Sequence, residues 1–405
     1  MNEINTHLSS KSSTINYRLD PKPFLAQVDK RIHDLCLQGN EPVHEVINHL
    51  LKAGGKRIRP TLAFISASFK SADWEPTNWE NLVDAASAIE MIHMASLVHD
   101  DIIDQATTRR GTETINQKWG NLTAVLAGDY LFSSAFNLLT ARQNYPVLLS
   151  VTNAIRLMCE GEINQAAQTY NYRQTEENYL DNIYKKTACL FAASCQAGAI
   201  TALLPAEHVR LINHFGLYLG YAYQILDDIL DLIGDPNELG KPVGSDLARG
   251  ILTLPILRLL QDEQQGAWLK PILDRQQISA EEIALTVTRL ADGDAFLYSL
   301  DRVFQMFDAA YQSIYGLPQV PARLAMWEIA GQLLEKPLLM VEKSLTSLGL
   351  TMPLRRETSN PIYPQQEQLN NQTFAADYPD DYPLDNYVSA WQSKFVFSFS
   401  GQTIG

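Results

Sequence analysis

The chain of 405 residues has little of what marks several large protein classes. It has only four cysteines, Cys36, Cys159, Cys189 and Cys195, with no C-x-x-C spacing and no disulfide-framework density. Zinc ribbons and small secreted scaffolds are thereby set aside, and free thiols in a reducing cytoplasm are the simplest expectation. Basic charge is in deficit, with 32 lysines and arginines against 46 acidic residues and a net charge of −14. A nucleic-acid binder needs the opposite balance. The first twenty residues contain no apolar run, so no secretory signal is expected. Residues 188–204 carry no charge, but Ser194, Gln196, Gly198 and Thr201 interrupt the run, and Lys185 and Lys186 precede it. That pattern predicts a buried bundle helix and no membrane span.

Strand signals are also scarce. From about residue 22 to about 348 the apolar positions follow the helical period, and no Asn-Gly or Asp-Gly turn frames an apolar run. Asp292-Gly293 falls between two helical patterns and reads as an interhelical turn. Further breaks fall at Gly54-Gly55, Pro60, Gly111, Gly120, Pro146, Pro205, residues 234–244, Pro255 and residues 318–321. The expectation is an all-α fold, a single large bundle of about a dozen helices over residues 21–350. Residues 1–20 read as a mobile N-terminal segment. Residues 351–405, rich in Asn, Gln, Pro, Tyr and Asp, read as a disordered polar tail.

What the chain does have is a pair of acidic clusters, Asp100-Asp101-Ile102-Ile103-Asp104 and Asp227-Asp228-Ile229-Leu230-Asp231. Each sets carboxylates at i, i+1 and i+4 in an apolar helical stretch, so the first and last share one face. Three like charges there are unfavourable unless a cation neutralises them. Mg²⁺ does this with oxygen ligands and commonly shares one or two carboxylates with a substrate phosphate. Basic groups stand nearby. Arg109 and Arg110 follow the first cluster, His93 precedes it by two turns, and Lys56, Arg57 and Arg59 surround the Gly54-Gly55 turn. Arg forks and helix-start amides suit phosphate oxygens. The Gly54-Gly55-Lys56 turn lacks P-loop spacing, so nucleotide binding is not implied.

Six motifs are specific: GGKRIRP, EMIHMASLVHDDIID, RRG, the KTA of Lys186-Thr187-Ala188, YQILDDILD and GKPVGSDL. On these, residues 22–336 resemble the all-trans polyprenyl diphosphate synthases of the isoprenyl diphosphate synthase family. The GGKRIRP, MASLVHDD and SCQAGA wording is similar to the catalytic subunit of two-component heptaprenyl synthases. The resemblance implies an isoprenoid-synthase bundle around a central cavity. It also implies a Mg²⁺-assisted condensation of isopentenyl diphosphate with an allylic diphosphate, farnesyl or geranylgeranyl. In that reading Asp100, Asp104, Asp227 and Asp231 are the candidate metal ligands, and Asp101 and Asp228 support them. Arg109, Lys186, Thr187, Gln224 and Lys241 hold the allylic diphosphate, with Lys186 also placed at the reacting centre. Lys56, Arg59, His93 and Arg110 hold isopentenyl diphosphate. Many members have Lys where this chain has Ile251, a change frequent in long-chain members.

The small Ala95 and Ser96, one turn before the first cluster, imply an open tunnel and a long product destined for a quinone side chain. A homodimer is implied, or a heteromer with a small regulatory subunit. The alternatives are a shorter-chain geranylgeranyl synthase, a class I terpene cyclase or a non-catalytic subunit. The cyclase reading lacks its Asn-Asp motif, and the non-catalytic reading is disfavoured because both clusters are intact.

Overall fold

The computed structural model describes residues 19–36, 38–70, 76–239 and 242–350. The tail expected at 351–405, nearly all of the expected mobile segment, and Lys241 lie outside them. Seventeen α-helical segments follow one another among the described residues, thirteen of them eight residues or longer, as the all-α expectation requires. They are α1 (Lys22–Cys36), α2 (Glu41–Lys52), α3 (Ile58–Ala67), α4 (Pro76–Ile103), α5 (Ile115–Trp119), α6 (Asn121–Ala141) and α7 (Tyr145–Ala167). Then come α8 (Glu176–Ile183), α9 (Cys189–Thr201), α10 (Ala206–Ile233), α11 (Pro236–Leu239) and α12 (Ser245–Ala248). The chain closes with α13 (Leu254–Gln261), α14 (Lys270–Asp274), α15 (Ala280–Asp292), α16 (Ala295–Tyr315) and α17 (Pro321–Ser347).

Local sequence sets these boundaries. Pro42, Pro146, Pro255 and Pro321 sit in the first turn of their helices, where the missing N–H has no partner to lose. Thr175 and Asn178 close a capping box at the start of α8, and Ser279 and Glu282 do so at α15. Asp292-Gly293 does turn the chain between α15 and α16.

The two longest helices, α4 and α10, have 28 residues each, about 42 Å at 1.5 Å per residue. Helix α4 packs against α1, α3, α6 and α9, and α10 against α9, α16 and α17. A single apolar core joins them. Helix α4 is enclosed on several sides, with Ala85, Ala88, Ile89, Met91, Ile92 and Ala95 all fully buried and the buried Asp84 and Glu90 paired with Arg31, Arg142 and Arg57. The expected buried helix at 188–204 is α9, whose side chains are nearly all enclosed. It lies so close to α3 that a Cβ on Gly198 would stand 2.0 Å from the Ala63 carbonyl oxygen. Cys159, Cys189 and Cys195 are free thiols.

Two features depart from a plain bundle. A hairpin pairs β1 (Thr108–Arg109) with β2 (Thr112–Glu113), Arg109 opposite Thr112. Its two-residue turn has positive φ at both Arg110 (53°) and Gly111 (75°), the geometry that follows strand twist. Gly111 alone marked this position in the sequence. Between α8 and α9 the rod continues through a π turn at Tyr184–Ala188; such single turns recur at functional sites. Helix α6, with Leu122 76% and Leu126 58% exposed, is long and apolar enough by composition to cross a membrane. Leu149 and Ile163 of α7 are exposed beside it.

Candidate active site

Helices α4 and α10 run through the core so that their acidic ends border one cleft of about 2380 Å³. That exceeds the few hundred to about 1,000 Å³ of an ordinary small-ligand pocket. Asp100, Asp104, Asp227 and Asp228 line it; Asp101 and Asp231 do not. Asp104 closes the last turn of α4, its N–H donating to the Asp100 carbonyl at 2.8 Å. The two side chains therefore stand one turn apart on one face.

Asp101 and Asp231 turn away from the cleft, and with Asp228 on its wall they make the internal contacts that position the site. Asp101 accepts from Arg109 Nε at 2.8 Å and Nη2 at 2.7 Å, tying the hairpin to α4. Asp231 is 1% exposed, and its two oxygens accept from the Ser245 hydroxyl at 2.5 Å and the Asp246 amide at 3.1 Å. It anchors the turn before α12. Asp228 accepts from the Tyr179 hydroxyl at 2.7 Å and from Gln224 Nε2 at 2.8 Å, and Gln224 Oε1 accepts from Thr187 Oγ1 at 2.7 Å. A buried chain of hydrogen bonds thus links the π turn to the second acidic cluster.

Cations face these acids. Lys186, on the π turn, stands 2.8 Å from Glu162 of α7. Burial works against its charge, but Glu162, Asp100 and Asp104 outweigh burial and raise its pKa. Lys56, Arg57, Arg59, Arg109 and Arg110 line the same cleft, and the four arginines act on His93. Burial first, then the fields of Arg59, Arg110, Arg109 and Arg57, hold the His93 imidazole well below its usual range. It is therefore neutral in a strongly positive pocket shaped for an anion. Arg57 is already committed to Asp29 at 2.7 Å and Glu90 at 2.9 Å, and the Arg110 guanidinium donates to the Gly54 carbonyl. Arg59 lies over the Phe191 ring at 5.0 Å with a buried, unpaired Nε.

The donor set fits a hard divalent cation. Burial, opposed by Lys186 and reinforced by Glu162 and Asp104, raises Asp100 to about 6, so its anionic form lacks compensation that a cation supplies. Among the described residues no three His, Cys, Asp or Glu side chains converge into a closed metal shell. Open half-sites of one or two carboxylates suit Mg²⁺, which keeps waters and phosphate oxygens in its sphere. Ser96 borders the cleft, with Leu97, Phe132, Ile155 and Met158, whereas Ala95 is fully buried and does not. Ser96 is therefore the residue of that pair in contact with the cavity.

Glu162, Tyr179, Asp246 and Arg249 were not singled out from sequence. Asp246 was visible only as part of the GKPVGSDL motif, and the others carry no local signal because their partners are distant in the chain.

Residues 40–290 match the family described as polyprenyl synthetase. The chain is 39% identical over 306 residues to heptaprenyl diphosphate synthase component 2 of Geobacillus stearothermophilus, covering 76% of this chain and 93% of that protein. It is 33% identical over 291 residues to octaprenyl diphosphate synthase of Escherichia coli, covering 71% and 88%. The crystal structure of heptaprenyl diphosphate synthase from Staphylococcus aureus superposes with a TM-score of 0.73 at 32% identity, covering 78% of this chain and 98% of that one.

Asp228 yields a pH prediction. Burial first, then the charge of Asp246, and against the hydrogen bonds from Tyr179 and Gln224, push it up to about 8 from an ordinary 3.8. The folded chain keeps a proton that the unfolded chain releases, so this site's contribution to stability declines as pH rises from about 4 to about 8. Asp228→Asn cannot ionise and removes that decline. Urea unfolding of the metal-free proteins is expected to show the variant gaining on the parent between about pH 5 and about pH 8. A constant gap contradicts the assignment.

Proposed function

Since this chain belongs to the polyprenyl synthetase family, we propose that its cleft holds two diphosphates, an allylic one over the acidic clusters and isopentenyl diphosphate among the basic side chains. The protein is a trans-prenyltransferase that makes a long all-trans polyprenyl diphosphate. The relatives that support this are heptaprenyl and octaprenyl synthases. The shorter-chain and cyclase alternatives are not favoured. One observation carries the assignment of the site: Asp100 and Asp104 of α4 and Asp227 of α10 border the same cavity as Lys186, Arg59 and His93.

Asp100, Asp104 and Asp227 would hold Mg²⁺, which when bound supplies Lewis-acid neutralisation of the charge on the departing diphosphate. Asp231 holds the turn before α12 in position. Lys186 and Thr187 on the π turn, with Gln224, grip the allylic diphosphate, and Lys186 follows its charge as the C1–O bond breaks. The electron pair leaves with the diphosphate. The double bond of isopentenyl diphosphate, held by Lys56, Arg59, Arg110 and neutral His93, attacks C1. A proton then departs to the released diphosphate. Apolar walls keep water from the allylic cation, and no side-chain nucleophile is needed.

The growing tail passes Ser96 toward Phe132 and Met158. With Mg²⁺, isopentenyl diphosphate and farnesyl diphosphate, the full chain is expected to give products of six or more isoprene units by mass spectrometry. Ser96→Phe should shorten them by several units while farnesyl diphosphate is still consumed. An unchanged length distribution refutes the tunnel path, and a chain that condenses nothing either alone or with a small regulatory subunit added refutes the activity.

The exposed apolar residues of α6 and α7, Leu122, Leu126, Leu149 and Ile163, support an assembly surface. We assign it to a homodimer. The component 2 relative supports a small regulatory partner as the other occupant, and free thiols agree with a reducing cytoplasm. Sedimentation should give a two-chain mass for the parent and a one-chain mass for Leu126→Glu; a parent that sediments as one chain removes the homodimer.

A further inference from the structure

One guanidinium in the wall of the cleft bridges two of its carboxylates. Arg249 Nη1 donates to Asp104 Oδ1, and its Nη2 donates to Asp246 Oδ1 at 2.7 Å. Asp104 belongs to the first acidic cluster. Asp246 lies on α12, stationed by the second cluster through the Asp231 contacts to Ser245 and the Asp246 amide. Arg249 therefore ties the α12 turn to Asp104, which lies 145 positions before it in sequence. Every group in the bridge meets solvent: the side chains of Arg249, Asp104 and Asp246 are 38%, 35% and 19% exposed. A bridge this wet is weak and exchangeable. It also sets a positive guanidinium on an oxygen of a carboxylate that a divalent cation would use, so the two cations repel each other across one carboxylate.

We propose that Arg249 is a latch: it holds the Asp104 carboxylate while the site lacks metal, is displaced when a divalent cation arrives, and then turns its fork to the diphosphate. The inference rests on Asp104 being a metal ligand. Two physical consequences follow. Displacing the guanidinium lowers the metal's apparent affinity in the absence of diphosphate. Once diphosphate is present, the freed fork has a bidentate anionic partner, so metal and diphosphate bind with positive coupling. Arg249 thereby makes the metal wait for its substrate. Once freed, its fork contacts the diphosphate directly.

The test uses the full-length protein with Mn²⁺ in place of Mg²⁺ and inorganic pyrophosphate as the diphosphate probe, with free Mn²⁺ read by electron paramagnetic resonance. Arg249→Gln is expected to bind Mn²⁺ about threefold to fivefold more tightly than the parent without pyrophosphate, the range that an exposed ion pair allows. Its affinity is expected to gain less than the parent's when pyrophosphate is added. Arg249→Lys, which keeps the charge but holds one carboxylate at a time, is expected to fall between the two and serves alone should the Gln variant not fold. Equal or weaker Mn²⁺ binding by these variants without pyrophosphate overturns the latch. Asp104→Asn separates the two claims: if it binds Mn²⁺ as the parent does, the metal assignment itself has failed.

Discussion

Carboxylates packed at the ends of two apolar helices lose solvation and repel one another, so each must find a cation, a donor or a proton. The arrangement of this protein follows from how that demand is met. Asp101, Asp228 and Asp231 are satisfied from within by Arg109, by Tyr179 with Gln224, and by Ser245 with the Asp246 amide. These contacts fix the hairpin, the π turn and the turn before α12 relative to the long helices. Asp100 and Asp104 face the cleft instead, and burial leaves Asp100 raised to about 6. Each cluster thus contributes carboxylates that build the frame, Asp101 in the first and Asp228 and Asp231 in the second, and carboxylates that face the cleft.

The same division holds among the basic groups. Arg57 and Arg109 are committed to carboxylates, whereas Arg59 is enclosed with an unpaired Nε. Neutral His93 sits inside the resulting positive field. Guanidinium charge held in place by such internal partners, beside an enclosed Arg59, is preorganised for an anion.

The sequence disclosed a good part of this. The i, i+1, i+4 spacing placed both acidic clusters on helices, and the Gly-Gly turn and Arg109-Arg110 pair marked the basic side of the site. Periodicity foresaw the all-α bundle and the buried α9. What it could not disclose depends on distance along the chain. Tyr179 meets Asp228 across 49 positions and Arg249 meets Asp104 across 145, and no local pattern encodes such pairs. The hairpin escaped because two residues per strand are too few for a period-two signal. Ala95 and Ser96 were equal candidates for the cavity wall, since small size carries no direction; the helix phase of α4 turned Ser96 toward the cleft and Ala95 into the core.

The central claim is that the cleft-facing acids of α4 and α10 hold one metal-bound diphosphate between them. A crystal structure of the protein with Mg²⁺ and an unreactive farnesyl thiolodiphosphate tests it most directly. Metal ions should appear on Asp100 and Asp104 at one side and on Asp227 at the other, bridged by the same diphosphate, with the prenyl tail running past Ser96. A diphosphate bound only by basic side chains, with no metal at either cluster, would contradict the claim.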